Sequence, residues 1–372
     1  MKNLFFLSGL LVFLSSAFYG TASAEATEMD KVNHVIHISI DGLRGDLLKS
    51  LVSKDPSNYP NFRRFLVEGA TTFNARTDYI ETSTLPNHTT ILTARPVAQP
   101  EGGPSTAHHG YVDNEDPTPG TTLHNGGNEH VSYVPSVFDV VHDAGLSTAL
   151  YGSKGKIVLY DQSYNAENGA PDTTGPDNGT DKIDRYVNEG EGKQTVERFL
   201  KEMRTEQYNY AFVHDKRPDH GHSVGWGSEA WNDLIHEVDQ FLGELFTLIE
   251  SEPGLAGDTV VLLTADHGGE EDPEGLEDGE PIFDHTNPSK FQNYTIPVLA
   301  WGPGVAAGAD LYDLNPLTHA DPEMGRPDYT ERLQPIRNGS TTNLALHLLG
   351  LQSIEGTEGY FKTLKVSATD SD

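Results

Sequence analysis

Cysteine is absent from all 372 residues. Disulfides and thiolate metal sites are thereby excluded, so any metal must be bound by histidine, carboxylate or hydroxyl oxygen. Positive charge is scarce: 25 Lys and Arg stand against 56 Asp and Glu, a formal charge of -31. A surface of that sign repels phosphate backbones and anionic lipid heads, which argues against duplex nucleic acid or an anionic membrane as partner. A solvated acidic surface that keeps the protein soluble accounts for the charge without any cationic partner. Long apolar runs are missing beyond the first two dozen residues, and nothing later approaches the roughly 20 apolar residues that a membrane helix needs.

What stands at the N-terminus is an export pattern. Lys2 is followed by an apolar run at residues 4–13 and by Ala22-Ser23-Ala24, a small-residue cleavage site. Residues 1–24 therefore read as a signal peptide cut before Glu25, which implies a periplasmic or secreted protein with no membrane anchor. A retained anchor is the competing reading, and the run is short for one. The length of the remaining chain allows one large α/β domain or two smaller ones. Oligomeric state leaves no mark on the sequence.

Short β-branched runs at residues 35–40, 147–151, 208–213, 259–264 and 296–301 end where polar residues begin and predict strands of one buried sheet. Helical periodicity lies between them at 61–68, 134–143, 195–203 and 229–249, and a last helix at 341–349 stops at Gly350. The alternation predicts an α/β fold with helices on both faces of the sheet. Residues 96–119 and 161–181, rich in Gly, Pro, Asn and Asp, predict long loops. Residues 270–280 carry seven acidic side chains without regular ligand spacing, as a solvated lid would; a calcium site is the alternative.

Reactive groups of open α/β sheets gather where strands end at their carboxyl edge. Asp41 follows the first predicted strand, Asp266 and His267 follow the fourth, and Asp219 with His222 lies just beyond the third. One such Asp is commonly a helix cap. Three groups on separate strands, in a chain without thiols, point instead to metal. Phosphoester hydrolysis needs one centre to activate an attacking oxygen and another to neutralise the leaving oxygen, which two divalent ions about 4 Å apart supply. Asp41, Asp219, His222, Asp266 and His267 leave room for one more histidine. His285, upstream of the last strand, is the best placed, and His319 in a Pro-rich loop competes. The histidine donors favour zinc. The nucleophile should be a hydroxyl at a helix start, and Thr84 in Thr82-Ser83-Thr84-Leu85-Pro86-Asn87-His88 fits, since Pro86 suits a first helical turn and puts Thr84 at or just before the N-cap. Alone, Thr84 would read as a good cap.

These residues resemble the type I phosphodiesterase and nucleotide pyrophosphatase branch of the alkaline phosphatase superfamily. The matched pieces are Ile40-Asp41-Gly42-Leu43-Arg44, Ser83-Thr84-Leu85-Pro86-Asn87-His88, Pro218-Asp219 with Gly221-His222, Thr264-Ala265-Asp266-His267-Gly268-Gly269, Ile296-Pro297 with Gly302-Pro303-Gly304, and Asn343-Leu344-Ala345-Leu346. Each is weak and their order is specific. The resemblance implies an α/β/α sandwich with a mostly parallel central sheet and a single catalytic domain over 25–372. It implies one zinc at Asp219, His222 and His285, and a second at Asp41, Asp266, His267 and the Thr84 oxygen. It also implies that Asn114, in Gly110-Tyr111-Val112-Asp113-Asn114, binds a nonbridging phosphate oxygen. Two departures stand out. Asn114 lies 30 residues past Thr84, further than is usual, which marks residues 99–107 as an insertion. Asp219 and His222 stand three apart, one residue closer than is usual, which leaves His220 or Asp215 as substitutes. Sulfatases need a modifiable Cys or Ser where this chain has Thr.

The expected reaction is in-line attack of Thr84 on a small phosphoester through a phosphothreonine. Whether the ester is a diester or a monoester turns on Lys154 and Lys156, which follow the strand at 147–151. Alternate lysines are commonly solvated. Some threonine-nucleophile phosphomonoesterases of the superfamily place a Lys-x-Arg pair at about this point, so an alkaline phosphomonoesterase is the alternative. The reading from another class is an inactive relative that keeps fold and metals.

Overall fold

A computed structural model describes Met1 and residues 31–175, 179–277 and 280–367, the side chains of 272–277 and 280–281 excepted. The expected signal peptide lies outside the described residues but for Met1. The described residues from 31 to 367 form one compact unit.

The sheet strands are β1 (His34–Ile40), β2 (Ala70–Arg76), β3 (Thr148–Gly152), β4 (Arg185–Asn188), β5 (Tyr210–Asp215) and β6 (Thr259–Thr264). A hairpin of β7 (Glu270–Glu277) and β8 (Glu280–Asp284) follows, then β9 (Thr295–Trp301) and β10 (Ala309–Asp310) rejoin the sheet. The eight sheet strands lie in the order β10-β2-β9-β6-β1-β5-β3-β4. Among the described strands of this sheet, only β9 runs antiparallel to its neighbours, β2 and β6. Every residue of β1, β5 and β6 is buried, as apolar β-branched runs covered on both faces should be.

Helices Gly45–Lys54, Pro60–Glu68, Gly192–Glu206 and Glu229–Ser251 form one contacting group; Thr84–Thr93, Val137–Asp143 and Ser340–Leu348 form the other. This is the α/β/α arrangement. The Glu229–Ser251 helix buries Val238, Phe241, Leu242, Leu245 and Leu248 of the stripe its periodicity predicts, while Leu234, expected on the same stripe, is half-buried and Ile235 is buried in its place. It also supplies a cap to a neighbour. Tyr59, at the N-cap of Pro60–Glu68, makes no side-chain cap, and Asp239 accepts the Phe62 N–H at 2.7 Å and the Asn61 N–H at 3.0 Å instead.

Three described strands of the large sheet are not predicted from the sequence: β2, β4 and β10 are short or mixed in polarity and lie at or near its edges. Of the acidic stretch at 270–280, expected as a solvated lid, residues 270–277 and 280 belong to the β7–β8 hairpin. It begins three residues after His267 and ends beside His285, so it carries the chain from one candidate ligand to the next.

Candidate active site

Four neighbouring strands, β6, β1, β5 and β3, deliver the candidate residues to one edge. Asp266 and His267 follow β6, Asp41 follows β1, Asp219 sits in the Arg217–His220 turn after β5, and Lys154 follows β3. His285 arrives from the side, because antiparallel β9 is entered at the edge where its parallel neighbours end. Gly42 lets the strand ends approach. Its φ is +71°, and a Cβ there would stand 3.0 Å from the Asp219 Cα; its N–H donates to Asp266 Oδ1 at 3.1 Å.

Thr84 opens the Thr84–Thr93 helix as its first residue, with Ser83 at the N-cap, one position further in than expected. Its hydroxyl oxygen lies 3.4 Å from His267 Nε2 and 3.5 Å from Lys154 Nζ. The helix start offers fewer donors than the sequence suggests. Pro86 has no N–H, and the Leu85 N–H is accepted by Asn114 Oδ1 at 3.0 Å, which leaves the Thr84 N–H. An acceptor is required there, so the Asn114 amide is oriented with Nδ2 free to donate.

The histidines share one device. Nδ1 of His222, His267 and His285 meets the carbonyl oxygens of Phe283 (2.8 Å), Gly268 (2.7 Å) and Thr82 (2.7 Å). A carbonyl only accepts, so each Nδ1 carries a proton, and in the neutral ring that leaves the lone pair for a metal on Nε2. His267 Nε2 is 3.2 Å from Asp41 Oδ1 and 3.3 Å from Asp266 Oδ2, while His222 Nε2 is 3.6 Å from Asp219 Oδ1. His267 and His285 stack with centroids 3.6 Å apart. Three buried carboxylate oxygens, Asp41 Oδ1, Asp219 Oδ1 and Asp266 Oδ2, have no hydrogen-bond partner among the described residues. Orphaned carboxylates at this depth call for cations. Donor atoms of Asp41, Asp266 and His267, and again of Asp219, His267 and His285, lie within 4.8 Å of one another. Oxygen and imidazole donors in that number fit two divalent ions.

Charged groups at this edge shift one another's protonation. Burial alone would raise Asp41, but Lys154, His214 and His267 hold its carboxyl well below the usual range. Burial and Asp41 push Asp266 up to about 8. Burial opposes protonation of His267, yet Asp266, Asp41 and Asp219 raise it to about 9. Burial, His267 and His222 depress His285 well below the ordinary value.

Of the substitutes for Asp219 and His222, Asp215 is fully buried and bound by the Arg217 guanidinium through Nε at 3.0 Å and Nη2 at 2.5 Å. His220 is exposed. His319 is buried, and its Nδ1 faces Thr318 Oγ1 at 3.0 Å. Lys154 is no solvated lysine: it salt-bridges Asp41 at 2.6 Å and Asp219 at 2.7 Å. Lys156 instead donates to the Asn114 carbonyl at 2.5 Å, so it holds the loop that carries Asn114. Two residues went unassigned in the sequence. His88 Nδ1 lies 2.8 Å from the Thr84 carbonyl, and His214 Nε2 lies 3.0 Å from Asp41 Oδ2. A histidine one residue from the end of a buried strand was the available signal for His214. Elsewhere, at the amino-terminal start of β3, His142, Asp143 and Asp172 form another group, whose Asp143 and Asp172 carboxylates pair with Lys182 Nζ.

Residues 35–324 match the profile of the type I phosphodiesterase / nucleotide pyrophosphatase family. The chain belongs to this family. It is a hydrolase of the phosphodiesterase and pyrophosphatase type, within the alkaline phosphatase superfamily. Among solved structures it is similar to murine ectonucleotide pyrophosphatase/phosphodiesterase 5, determined as an inactive threonine-to-alanine variant in complex with AMP, at a TM-score of 0.57 and 15% identity over 90% of this chain and 100% of that one. The human counterpart gives 0.56 and 14% over 87% and 96%. No curated protein matches the chain in a sequence search. At such identities the neighbours establish the fold; the family motifs lie on the edge just described. No described helix is long and apolar enough to cross a membrane.

Proposed function

We propose that this protein hydrolyses small phosphodiesters with Thr84 as nucleophile, at a site that binds two divalent ions, zinc by the choice of donors. One observation carries the reading: a buried threonine hydroxyl at the first residue of a helix faces an edge with three orphaned carboxylate oxygens and His267 Nε2 at 3.4 Å. Asp219, His222 and His285 would hold one ion, and Asp41, Asp266, His267 and Thr84 the other. When bound, the ions would lower the pKa of the hydroxyl and neutralise the leaving oxygen.

Thr84 Oγ1 attacks phosphorus in line, its proton passes to solvent, and the leaving alkoxide departs with the bonding electrons and is protonated by water. Water then attacks the phosphothreonine, releasing a phosphomonoester and restoring the hydroxyl. Asn114 Nδ2 and the Thr84 N–H are the donors for nonbridging oxygens. The murine neighbour, inactive as a threonine-to-alanine variant and holding AMP, supports both a threonine nucleophile and a small phosphoester ligand.

A phosphomonoesterase is the second reading, favoured by one contact: Lys154 Nζ, 3.5 Å from Thr84 Oγ1, is a fixed cation where a monoester dianion would gain most. Specificity constants for an aryl phosphomonoester and the matching bis-aryl diester separate the two. Diester preference is expected; monoester preference selects the phosphatase, and no turnover of either by the zinc-loaded protein overturns both. Residues 25–372 would act as one exported catalytic domain, so the N-terminus of periplasmic or secreted protein should be Glu25.

A further inference from the structure

Beneath the carboxylates stand imidazoles that the reaction above leaves unused. His214 is the second-to-last residue of β5, in register with Ser39 of β1, so its ring lies under Asp41. Its Nε2 is 3.0 Å from Asp41 Oδ2; its Nδ1 is 2.9 Å from Ser153 Oγ and 3.3 Å from Ser153 N. These partners decide where the ring proton sits. The Ser153 N–H can only donate, so Nδ1 accepts and Nε2 carries the hydrogen that Asp41 takes. Ser153 Oγ accepts the Lys216 N–H at 2.9 Å, which leaves its own hydrogen for Nδ1. His214, Ser153 and Asp41 are all fully buried, so water does not compete for these bonds.

With Oδ2 engaged by His214 and by Lys154 at 2.6 Å, Asp41 Oδ1 is left without a hydrogen-bond partner and faces His267 Nε2 at 3.2 Å. We infer that His214 is a positioning residue: its Nε2–H turns Asp41 Oδ1 into the metal site, and Ser153 fixes the tautomer that allows this donation. The inference rests on Asp41 being a metal ligand, as proposed above. Because Ser153 immediately precedes Lys154, the turn after β3 governs both contacts on Asp41 Oδ2, one through His214 and one directly.

Zinc affinity of metal-stripped protein, read by competition with a chromophoric chelator, tests this in the wild type, His214→Phe, His214→Gln and Ser153→Ala. Phe keeps the ring volume without the donor, and Gln returns an amide N–H close to the Nε2 position. Wild type should bind two ions. His214→Phe should weaken one of them by roughly 10- to 100-fold, the loss usual for a removed outer-shell partner, and leave the other unchanged. His214→Gln should recover most of that loss, and Ser153→Ala should fall between. Wild-type affinity at both positions in His214→Phe, or no recovery in His214→Gln, overturns the positioning role while the two-metal reading stands. If His214→Phe does not fold, Ser153→Ala decides by itself, and unchanged affinity there overturns the inference. Fewer than two ions in wild type removes the two-metal reading and this inference with it.

Discussion

Lys154 Nζ and Thr84 Oγ1 lie 3.5 Å apart. The amine is held there by Asp41 and Asp219, one carboxylate from each proposed metal group. Burial opposes its charge, but Asp41 and Asp219 outweigh burial and raise its pKa, so the cation persists at neutral pH. A permanent positive charge beside the attacking oxygen acts on whatever negative charge the substrate brings.

Lys154→Ala should therefore discriminate between substrates. Monoester turnover is expected to fall on the order of a hundredfold and diester turnover much less, because the dianion needs the charge more. Lys156→Ala acts through the Asn114 carbonyl and should lower both rates alike. Steady-state kinetics on the two esters read the split; equal losses in Lys154→Ala would show that the lysine orders ligands rather than substrate.

Thr84→Ala should cost several orders of magnitude in turnover with metal content and stability almost unchanged. Ser83, not Thr84, occupies the N-cap, so little capping energy is at stake. A variant that keeps more than about a tenth of the wild-type rate removes Thr84 as nucleophile.

Chelation should abolish turnover, and zinc should restore it better than magnesium, since three imidazoles in the donor set suit a borderline ion and not a hard one. Metal analysis alongside rates makes this quantitative. Full activity below one metal per chain contradicts the two-ion site.

Asp215→Ala and Asp219→Ala should fail in different ways. Asp215 neutralises buried Arg217, and removing one partner of such a pair costs roughly 3–5 kcal/mol, visible as a lowered urea midpoint with metal stoichiometry unchanged. Asp219→Ala should lose a metal while the fold holds. The reverse pattern would make Asp215 the ligand.

Much of this edge was legible before folding. Buried parallel strands are short apolar runs with sharp ends, so Asp41 and the pair Asp266 and His267 stand out at the ends of β1 and β6. A proline in a first turn marks the start of the Thr84 helix. Periodicity reports element type and burial because both depend on neighbours within a few residues along the chain.

Partners far apart in sequence are another matter. Strand order alone brings β6, β1, β5 and β3 side by side. Asp215 and Asp219 look alike in sequence, yet tertiary packing gives Arg217 to the first and leaves an oxygen of the second unpaired. Lys154 and Lys156 differ only in what they reach, Asp41 across the sheet edge or a loop carbonyl. The same holds for His214, whose meaning lies in Asp41, 173 residues away. Such pairings are set by which strands lie adjacent and by the low dielectric that makes an unmatched buried charge costly, and neither property belongs to any local stretch of the chain.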